Sequence, residues 1–348
     1  DAATAYAHKR GWDDDTISDA TLGYTGYVDW HSPDATAAYD KLAAELRSAL
    51  VLAGVDVDLP AVAALTGRRF EGEAQMRQWF EKHEIDLSEV DSAWFDRKRV
   101  PGLIGRGMLV YPHFERRKVV YFSGRSVPAI NEKAHYNIPV VLGGSRQVYR
   151  NHVWTPRSKT CILVEGQADA ISLGMMGIPA VALAGLAPNE ELEDLSKRHE
   201  KLYVCLDNDE AGRNNLNKIC DFLHPLTQVF NWSTVKHEDV KDVNDWHQIM
   251  VANKKTPEEE GKTFRAALLN AVSYLEIRAN EAGENKDQVD RDRMEMETIK
   301  LYLGLDNDQR VQYQDRVAKA LNRKYRDFDR LVKNLDNRTD DYETDKPA

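Results

Sequence analysis

Cysteine is scarce in this chain of 348 residues, with only Cys161, Cys205 and Cys220 present. They form no CxxC pair, which argues against a zinc ribbon, and the ten histidines show no metal-ligand spacing. No zinc site is therefore expected. Two of the thiols fall inside apolar runs that read as buried strands, so all three are expected to be inert core residues in a reducing compartment. Long hydrophobic runs are missing too. None approaches the ~20 residues that cross a bilayer, and no signal peptide opens the chain, so a soluble protein without membrane contact is expected. The chain starts at Asp1 rather than Met, as a piece excised from a longer protein would. A complete phosphate loop is also lacking. Gly261-Lys262-Thr263 has the ending of a Walker A loop, but Thr256 stands where the loop needs its first glycine, and Glu258-Glu259-Glu260 intervene. Three carboxylates repel a phosphate and no strand leads in, so no phosphate-loop NTPase motor is expected here.

What is present allows two or three domains, with 42% apolar residues to build their cores. Net charge is −10, which taken alone argues against a nucleic-acid partner. Its distribution reverses that inference. Residues 91–160 hold 13 Lys/Arg against 4 Asp/Glu, whereas residues 1–90 hold 8 against 17. In the basic segment Arg97, Lys98, Arg99, Arg106, Arg116, Arg117, Lys118, Arg125, Lys133, Arg146 and Arg150 alternate with Trp94, Phe95, Tyr111, Phe114, Tyr121, Phe122 and Tyr149. Charge that tracks a backbone, mixed with rings that stack on bases, holds single strands with little sequence readout. For any one of these residues the simpler alternative is a solvated strand edge or a core aromatic.

Periodicity organises the rest. Residues 1 to about 90 read as helices, with one run from Asp34 to Leu52 and another from Glu73 to His83. From Leu103 to Val127 the pattern is β, with Met108–Tyr111 and Val119–Phe122 as strands and Ser123-Gly124-Arg125 as a turn. A βαβ series runs from Cys161 to about Trp232. Helix returns after Pro257, over Phe264–Ala279 and Asp287–Leu303, and a polar tail from Asp336 to Ala348 is expected to lack structure.

Three acidic clusters follow apolar runs in the βαβ region. Glu165 comes after Cys161-Ile162-Leu163-Val164, Asp207 and Asp209 after Leu202-Tyr203-Val204-Cys205-Leu206, and Asp242 and Asp245 lie in Lys241-Asp242-Val243-Asn244-Asp245. Parallel α/β sheets gather ligands at the carboxyl ends of their strands, so carboxylates far apart in sequence are expected to meet there. Crowded anions repel unless a cation joins them, and hard oxygen ligands select Mg²⁺ or Mn²⁺. The expected chemistry is metal-assisted and acts on phosphate. A second Asp-Asn-Asp, in Leu305-Asp306-Asn307-Asp308, follows a helical stretch and is expected to be a solvated turn.

Val164-Glu165-Gly166-Gln167-Ala168-Asp169-Ala170, Leu206-Asp207-Asn208-Asp209-Glu210-Ala211-Gly212-Arg213 and Lys241-Asp242-Val243-Asn244-Asp245 resemble the glutamate, DxD and third acidic motifs of Toprim domains. The three come in the family's order across about 90 residues, which makes the likeness specific. Upstream, Leu22-Gly23-Tyr24, the stretch from Gly105-Arg106 to Pro112, Val119 to Arg125, Tyr136-Asn137-Ile138-Pro139 and Val148-Tyr149 resemble the basic subdomain that precedes Toprim in DnaG-type primases. Two departures stand out: Met108 occupies a position usually held by Arg, and the family's Lys beside Tyr-x-Asn is displaced to Lys133. The third motif is similar to that of phage primase-helicases, which implies a phage, prophage or plasmid origin.

The resemblance implies a Toprim parallel α/β sheet over residues 159–250, preceded by a basic α+β subdomain at 1–158 and followed by a small helical region at 251–335 before the tail at 336–348. It implies a primase that joins NTPs into short RNA primers on single-stranded DNA in the cytoplasm of a bacterial or phage-infected cell. Asp207, Asp209 and Asp245 are expected to hold Mg²⁺ or Mn²⁺, with Glu165 as a further ligand or proton-handling group. Lys241 and Arg213 are expected on the nucleotide. Arg106, Arg116, Arg117, Lys118, Arg125 and Arg146 are expected on the template. Asp169, Asp242, Tyr136 and Asn137 are open between a site role and a structural one; for Asp169 the structural role is a cap or salt bridge. The C-terminal region is the candidate contact for a replicative helicase. Such primases generally carry a zinc module, which here has been removed, lost, or supplied by another protein. The alternative function is a Toprim nuclease acting on DNA or RNA, which usually lacks the basic segment. A type IA topoisomerase needs a tyrosine in a large downstream domain, and only 98 residues follow Met250.

Overall fold

A computed structural model of the chain describes residues 2–115, 118–127, 135–142, 148–150, 159–185, 192, 195, 199–234 and 240–343. Residues 1–157, 164–186 and 242–260 form one compact unit, and residues 158–163, 187–241 and 261–348 form another. The first half of the chain contains helices α1 (Ala2–Lys9), α2 (Asp14–Asp19), α3 (Ala35–Leu52), α4 (Pro60–Thr66), α5 (Glu73–Lys82) and α6 (Ser92–Arg97). Its strands are β1 (Gly23–Tyr24), β2 (Arg68–Arg69), β3 (Arg99–Val100), β4 (Met108–Glu115), β5 (Lys118–Ser126), β6 (His135–Asn137) and β7 (Tyr149–Arg150). There follow β8 (Thr160–Val164), α7 (Gln167–Met175), β9 (Ala180–Ala182), β10 (Lys201–Cys205), α8 (Glu210–Cys220), β11 (Gln228–Val229), α9 (Val243–Ala252), α10 (Pro257–Leu268), β12 (Val272–Ser273), α11 (Tyr274–Glu284), α12 (Gln288–Leu303), α13 (Asn307–Ala320) and α14 (Tyr325–Glu343).

In the first unit, β1-β4-β5-β6 make an antiparallel sheet whose central hairpin runs in register from Met108↔Ser126 to Glu115↔Lys118. Ser123-Gly124-Arg125, expected as a turn, lies inside β5, opposite Tyr111, Val110 and Leu109. A Cβ on Gly124 would stand 3.3 Å from Leu103 Cδ2 and 3.4 Å from Met108 Sδ. The glycine therefore marks close packing under a strand, a role that sequence alone does not separate from a turn. The paired ladder instead extends to Glu115↔Lys118. Trp79, Phe80, Trp94, Leu103, Met108, Tyr121 and Phe122 belong to the main core of this unit. Of the aromatics expected to stack on bases, Trp94, Tyr111, Tyr121, Phe122 and Tyr149 are buried. Alternation along a strand serves a core face as well as it serves a ligand face, and here the core took these rings.

The strands of the βαβ region are shared between the units. In the second unit the order is β12-β11-β10-β8, with β11 parallel to β10 and β12 antiparallel to β11. In the first, β7 pairs antiparallel with β9. Cys161, Ile162, Leu163 and Val164 are wholly buried, as a strand covered on both faces requires, and Cys205 and Cys220 are buried free thiols. The helix expected over Phe264–Ala279 is interrupted: α10 ends at Leu268, β12 intervenes, and Ser273 caps α11 by accepting from the Glu276 N–H. The polar tail expected to lack structure from Asp336 is helical to Glu343 as the last turns of α14. Asp306 is a helix cap rather than a free turn. Its carboxylate accepts from Gln309 N at 2.8 Å, while its own N–H donates to Gln309 Oε1. Gly261-Lys262-Thr263 lies within α10, so it forms no phosphate loop. Among the described residues no helix is long and apolar enough to cross a membrane.

The helices at the C-terminal end pack around Leu275, Ile299, Tyr302, Val317 and Phe328. One ion pair locks this bundle: Arg323 reaches Glu295 with two nitrogens, at 2.8 and 2.7 Å, and the Glu295 side chain is only 5% exposed. Arg323→Met would leave that carboxylate buried without its partner. Because the Arg323 side chain is 36% exposed, water replaces part of the loss, and the expected cost is about 2 kcal/mol in urea unfolding. No change in the unfolding midpoint would show that the pair is dispensable.

Candidate active site

In the second unit the acidic pair is built by a strand end and a helix start. Leu206 ends the apolar run, and its carbonyl accepts from Trp232 Nε1 at 2.8 Å. Asn208 then ties the loop to the segment before the third motif: its N–H donates to the Lys241 carbonyl at 2.6 Å, and its Nδ2 donates to the Val240 carbonyl at 3.3 Å. Asp209 caps α8, with Oδ1 accepting from Gly212 N at 2.9 Å. The Gly212 N–H, and then Lys241, hold Asp209 below the usual carboxylate range. The Lys241 ammonium stands 3.1 Å from Asp209 Oδ2 and 3.8 Å from Asp207 Oδ2. Two hard carboxylates thus converge on one positive charge, an arrangement that suits a divalent cation as well as a lysine. Among the described residues no three acidic, histidine or cysteine side chains form a ready-made cage, so the fit rests on this pair. Arg213 is exposed on the first turn of α8.

Glu165, Asp169 and the third motif lie in the first unit. Glu165 is half-buried just past β8, and its carbonyl accepts from Ala184 N at 3.0 Å. Asp169 is 5% exposed and used structurally: Oδ2 accepts from Gly166 N at 3.2 Å and Oδ1 from Asn244 N at 2.9 Å. These are the contacts of a cap, the plainer of the two roles considered for it. Asp242 caps α9, accepting from Asp245 N at 2.7 Å. Asp245 is half-buried on the first turn of that helix.

The expected template residues divide in three. Arg116, Arg117 and Arg146 lie outside the described residues, and for Lys118 the backbone in β5 is described. Arg106 is exposed, donates from Nε to the Gly102 carbonyl at 2.9 Å and lies over the Tyr136 ring at 5.7 Å. Arg125 is half-buried in β5, opposite Leu109 and His135. Tyr136 donates to the Ala64 carbonyl, and burial pushes its hydroxyl up to about 12. Asn137 pairs with Ser123 in the ladder. Tyr136 and Asn137 therefore have structural work where they stand.

Sequence reasoning missed the buried Trp12, Ser172 and Asn244 and the half-buried Arg10, which meet in one network. Trp12 Nε1 donates to Ser172 Oγ at 3.2 Å, and Arg10 Nη1 donates to Asn244 Oδ1 at 2.7 Å. No local pattern signals a pair 234 positions apart.

Residues 162–247 match the Toprim-like family model. No curated protein sequence matches the chain. Solved structures match over most of its length. A DNA primase domain from Pseudomonas aeruginosa is 16% identical with a TM-score of 0.61, and the match covers 95% of this chain and 92% of that one. The RNA polymerase domain of Mycobacterium tuberculosis primase DnaG is 16% identical with a TM-score of 0.60, covering 91% of each chain. A DnaG primase catalytic domain bound to single-stranded DNA is 18% identical with a TM-score of 0.58, covering 92% of this chain and 89% of that one. At these identities the likeness is one of fold: the chain carries a Toprim-like domain within an α/β architecture similar to DnaG primase catalytic cores.

Proposed function

We propose that this protein is a DNA primase that makes short RNA primers on single-stranded DNA by metal-dependent nucleotidyl transfer from NTPs. The observation that carries the reading is the convergence of Asp207 and Asp209 on one positive charge, inside a domain whose fold is similar to primase cores along nearly the whole chain. Glu165, Asp207, Asp209 and Asp245 are the proposed ligands for Mg²⁺ or Mn²⁺. When bound, the metal favours ionisation of the attacking 3'-hydroxyl and neutralises charge on the pyrophosphate leaving group. Lys241 and Arg213 are proposed to bind triphosphate oxygens, both being exposed and cationic beside the acidic pair or on the helix it caps. Asp169 and Asp242 act as caps that hold the ligand-bearing segments.

Arg106, Arg116, Arg117, Lys118, Arg125 and Arg146 are proposed to guide the template, in line with the single-stranded DNA held by a structure of similar fold. Reversing Arg116, Arg117 and Lys118 to Glu is expected to weaken single-stranded DNA binding several-fold and flatten its salt dependence, because fewer phosphate contacts release fewer counterions. Fluorescence anisotropy at several salt concentrations reads both effects. An unchanged slope would move the groove toward Arg97, Lys98 and Arg99. The helical C-terminal region is the proposed contact for a replicative helicase.

Incubation with a single-stranded DNA template, NTPs and Mg²⁺ or Mn²⁺ tests the proposal, with short RNA oligomers as the expected product. Metal-dependent cleavage of the template without primers would replace the primase with the nuclease.

A further inference from the structure

Three consecutive residues after α1 touch the acidic segments of the first unit. Arg10 donates from Nη1 to Asn244 Oδ1 at 2.7 Å, and its carbonyl accepts from Asn244 Nδ2 at 3.1 Å. The Gly11 carbonyl accepts from His247 Nε2 at 3.0 Å. Trp12 donates to Ser172 Oγ, which also accepts from Asn244 Nδ2 at 2.8 Å. Gly11 has φ +84°, and a Cβ there would lie 2.7 Å from His247 Nε2, so the approach requires glycine.

Asn244 is the hub. It is wholly buried, and its N–H continues the network to Asp169 Oδ1, whose other oxygen accepts from Gly166 N. Hydrogen bonds therefore run from Arg10 through Asn244 and Asp169 to the peptide beside Glu165. The same amide sits between Asp242 and Asp245 on the first turn of α9. Arg10 is itself held by Tyr6, whose hydroxyl accepts from its Nε and Nη2 at 3.1 and 2.8 Å. Burial disfavours the Arg10 charge, but Tyr6, Tyr111 and Asp242 more than offset this. Burying an amide and a guanidinium is costly unless their bonds are specific. Here the guanidinium donates to the Asn244 side chain and to Tyr6, and the Asn244 amide donates to the Arg10 carbonyl and Ser172 Oγ, bonds that apolar packing cannot replace.

We propose that Arg10 and Asn244 are positioning residues for the metal site, fixing Glu165 and Asp245 so that their carboxylates are presented to the ion in one geometry. The proposal rests on the reading of those two residues as ligands. Groups that orient ligands typically change metal affinity by about 10–100-fold when removed.

The test uses Mn²⁺ alone, titrated into the full chain without nucleotide or template and followed by water-proton relaxation, with thermal unfolding in parallel. Arg10→Met and Asn244→Ala are expected to weaken Mn²⁺ binding by about ten-fold in the folded protein, and Arg10→Lys, which keeps a donor to Asn244, by about three-fold or less. A purely structural role would lower the unfolding temperature and leave affinity within about two-fold of the parent, which would overturn the proposal. Arg10 is only partly buried, so Arg10→Met carries the test if Asn244→Ala does not fold. A parent that takes up no Mn²⁺ would overturn both this and the ligand assignment. Variants that lose Mn²⁺ while the parent makes no primers would leave the positioning role standing and remove the primase.

Discussion

Asp207→Asn and Asp209→Asn are each expected to lower primer synthesis by about 100-fold or more while the chain stays folded. Removing groups that merely orient metal ligands costs about 10–100-fold, and these two are proposed as ligands themselves. The fold should survive for a specific reason. Asn caps a helix about as well as Asp, so Gly212 N–H, now 2.9 Å from Asp209 Oδ1, keeps its acceptor. What disappears is the negative charge that faces Lys241. The pH dependence has a definite sign. A carboxyl held below its ordinary value of about 3.9 contributes stability above that pH and loses it as pH falls through the lower, folded value. Asp209 is such a group, so it stays ionised from pH 5 to 8, and any activity transition there belongs to another residue. A primer gel beside a thermal melt reads both effects. Full activity in both variants would remove the acidic pair from the site.

The strands before the acidic clusters were legible because Cys161–Val164 and Leu202–Leu206 are short, bounded apolar runs, and burial on both faces demands such runs. Helices α3 and α5 were legible from their periodicity. Gly124 misled because a glycine under a close-packed Leu103 carries the same letter as a glycine in a turn. The rings of residues 94–149 misled for a related reason: alternation with arginine does not say which face of a strand meets the core. Asp169 is ambiguous in the sequence because a carboxylate four residues past Glu165 can face a metal or a backbone N–H, and the Gly166 and Asn244 contacts, which are those of a cap, come from backbone that the spacing does not reveal. The network of Arg10 and Asn244 was invisible, since its partners lie 234 positions apart. Local chemistry writes itself into neighbouring residues, whereas long-range support does not.

Gly212→Ala is expected to damage the site through a single methyl group. A Cβ at this position would lie 2.1 Å from the Asp207 carbonyl oxygen, 3.0 Å from its carbon and 3.2 Å from its nitrogen. These are backbone atoms, which cannot rotate away as a side chain would. Alanine inside a helix gains up to about 1 kcal/mol over glycine, but forcing atoms into filled space costs about 1–3 kcal/mol, and against backbone atoms the upper end applies, so the clash should prevail by about 2 kcal/mol. The activity loss should exceed what that destabilisation explains. Relief of the contact must move either the first turn of α8 or the peptide of Asp207, and Asn208 anchors that loop to Val240 and Lys241. Either movement separates the two carboxylates from the charge on which they converge. Primer synthesis measured well below the unfolding midpoint, with urea unfolding of the same sample, isolates this effect from loss of fold. A Gly212→Ala protein as active as the parent and more stable would show that α8 does not approach Asp207 this closely, and that the glycine after Glu210-Ala211 has no part in holding the acidic pair.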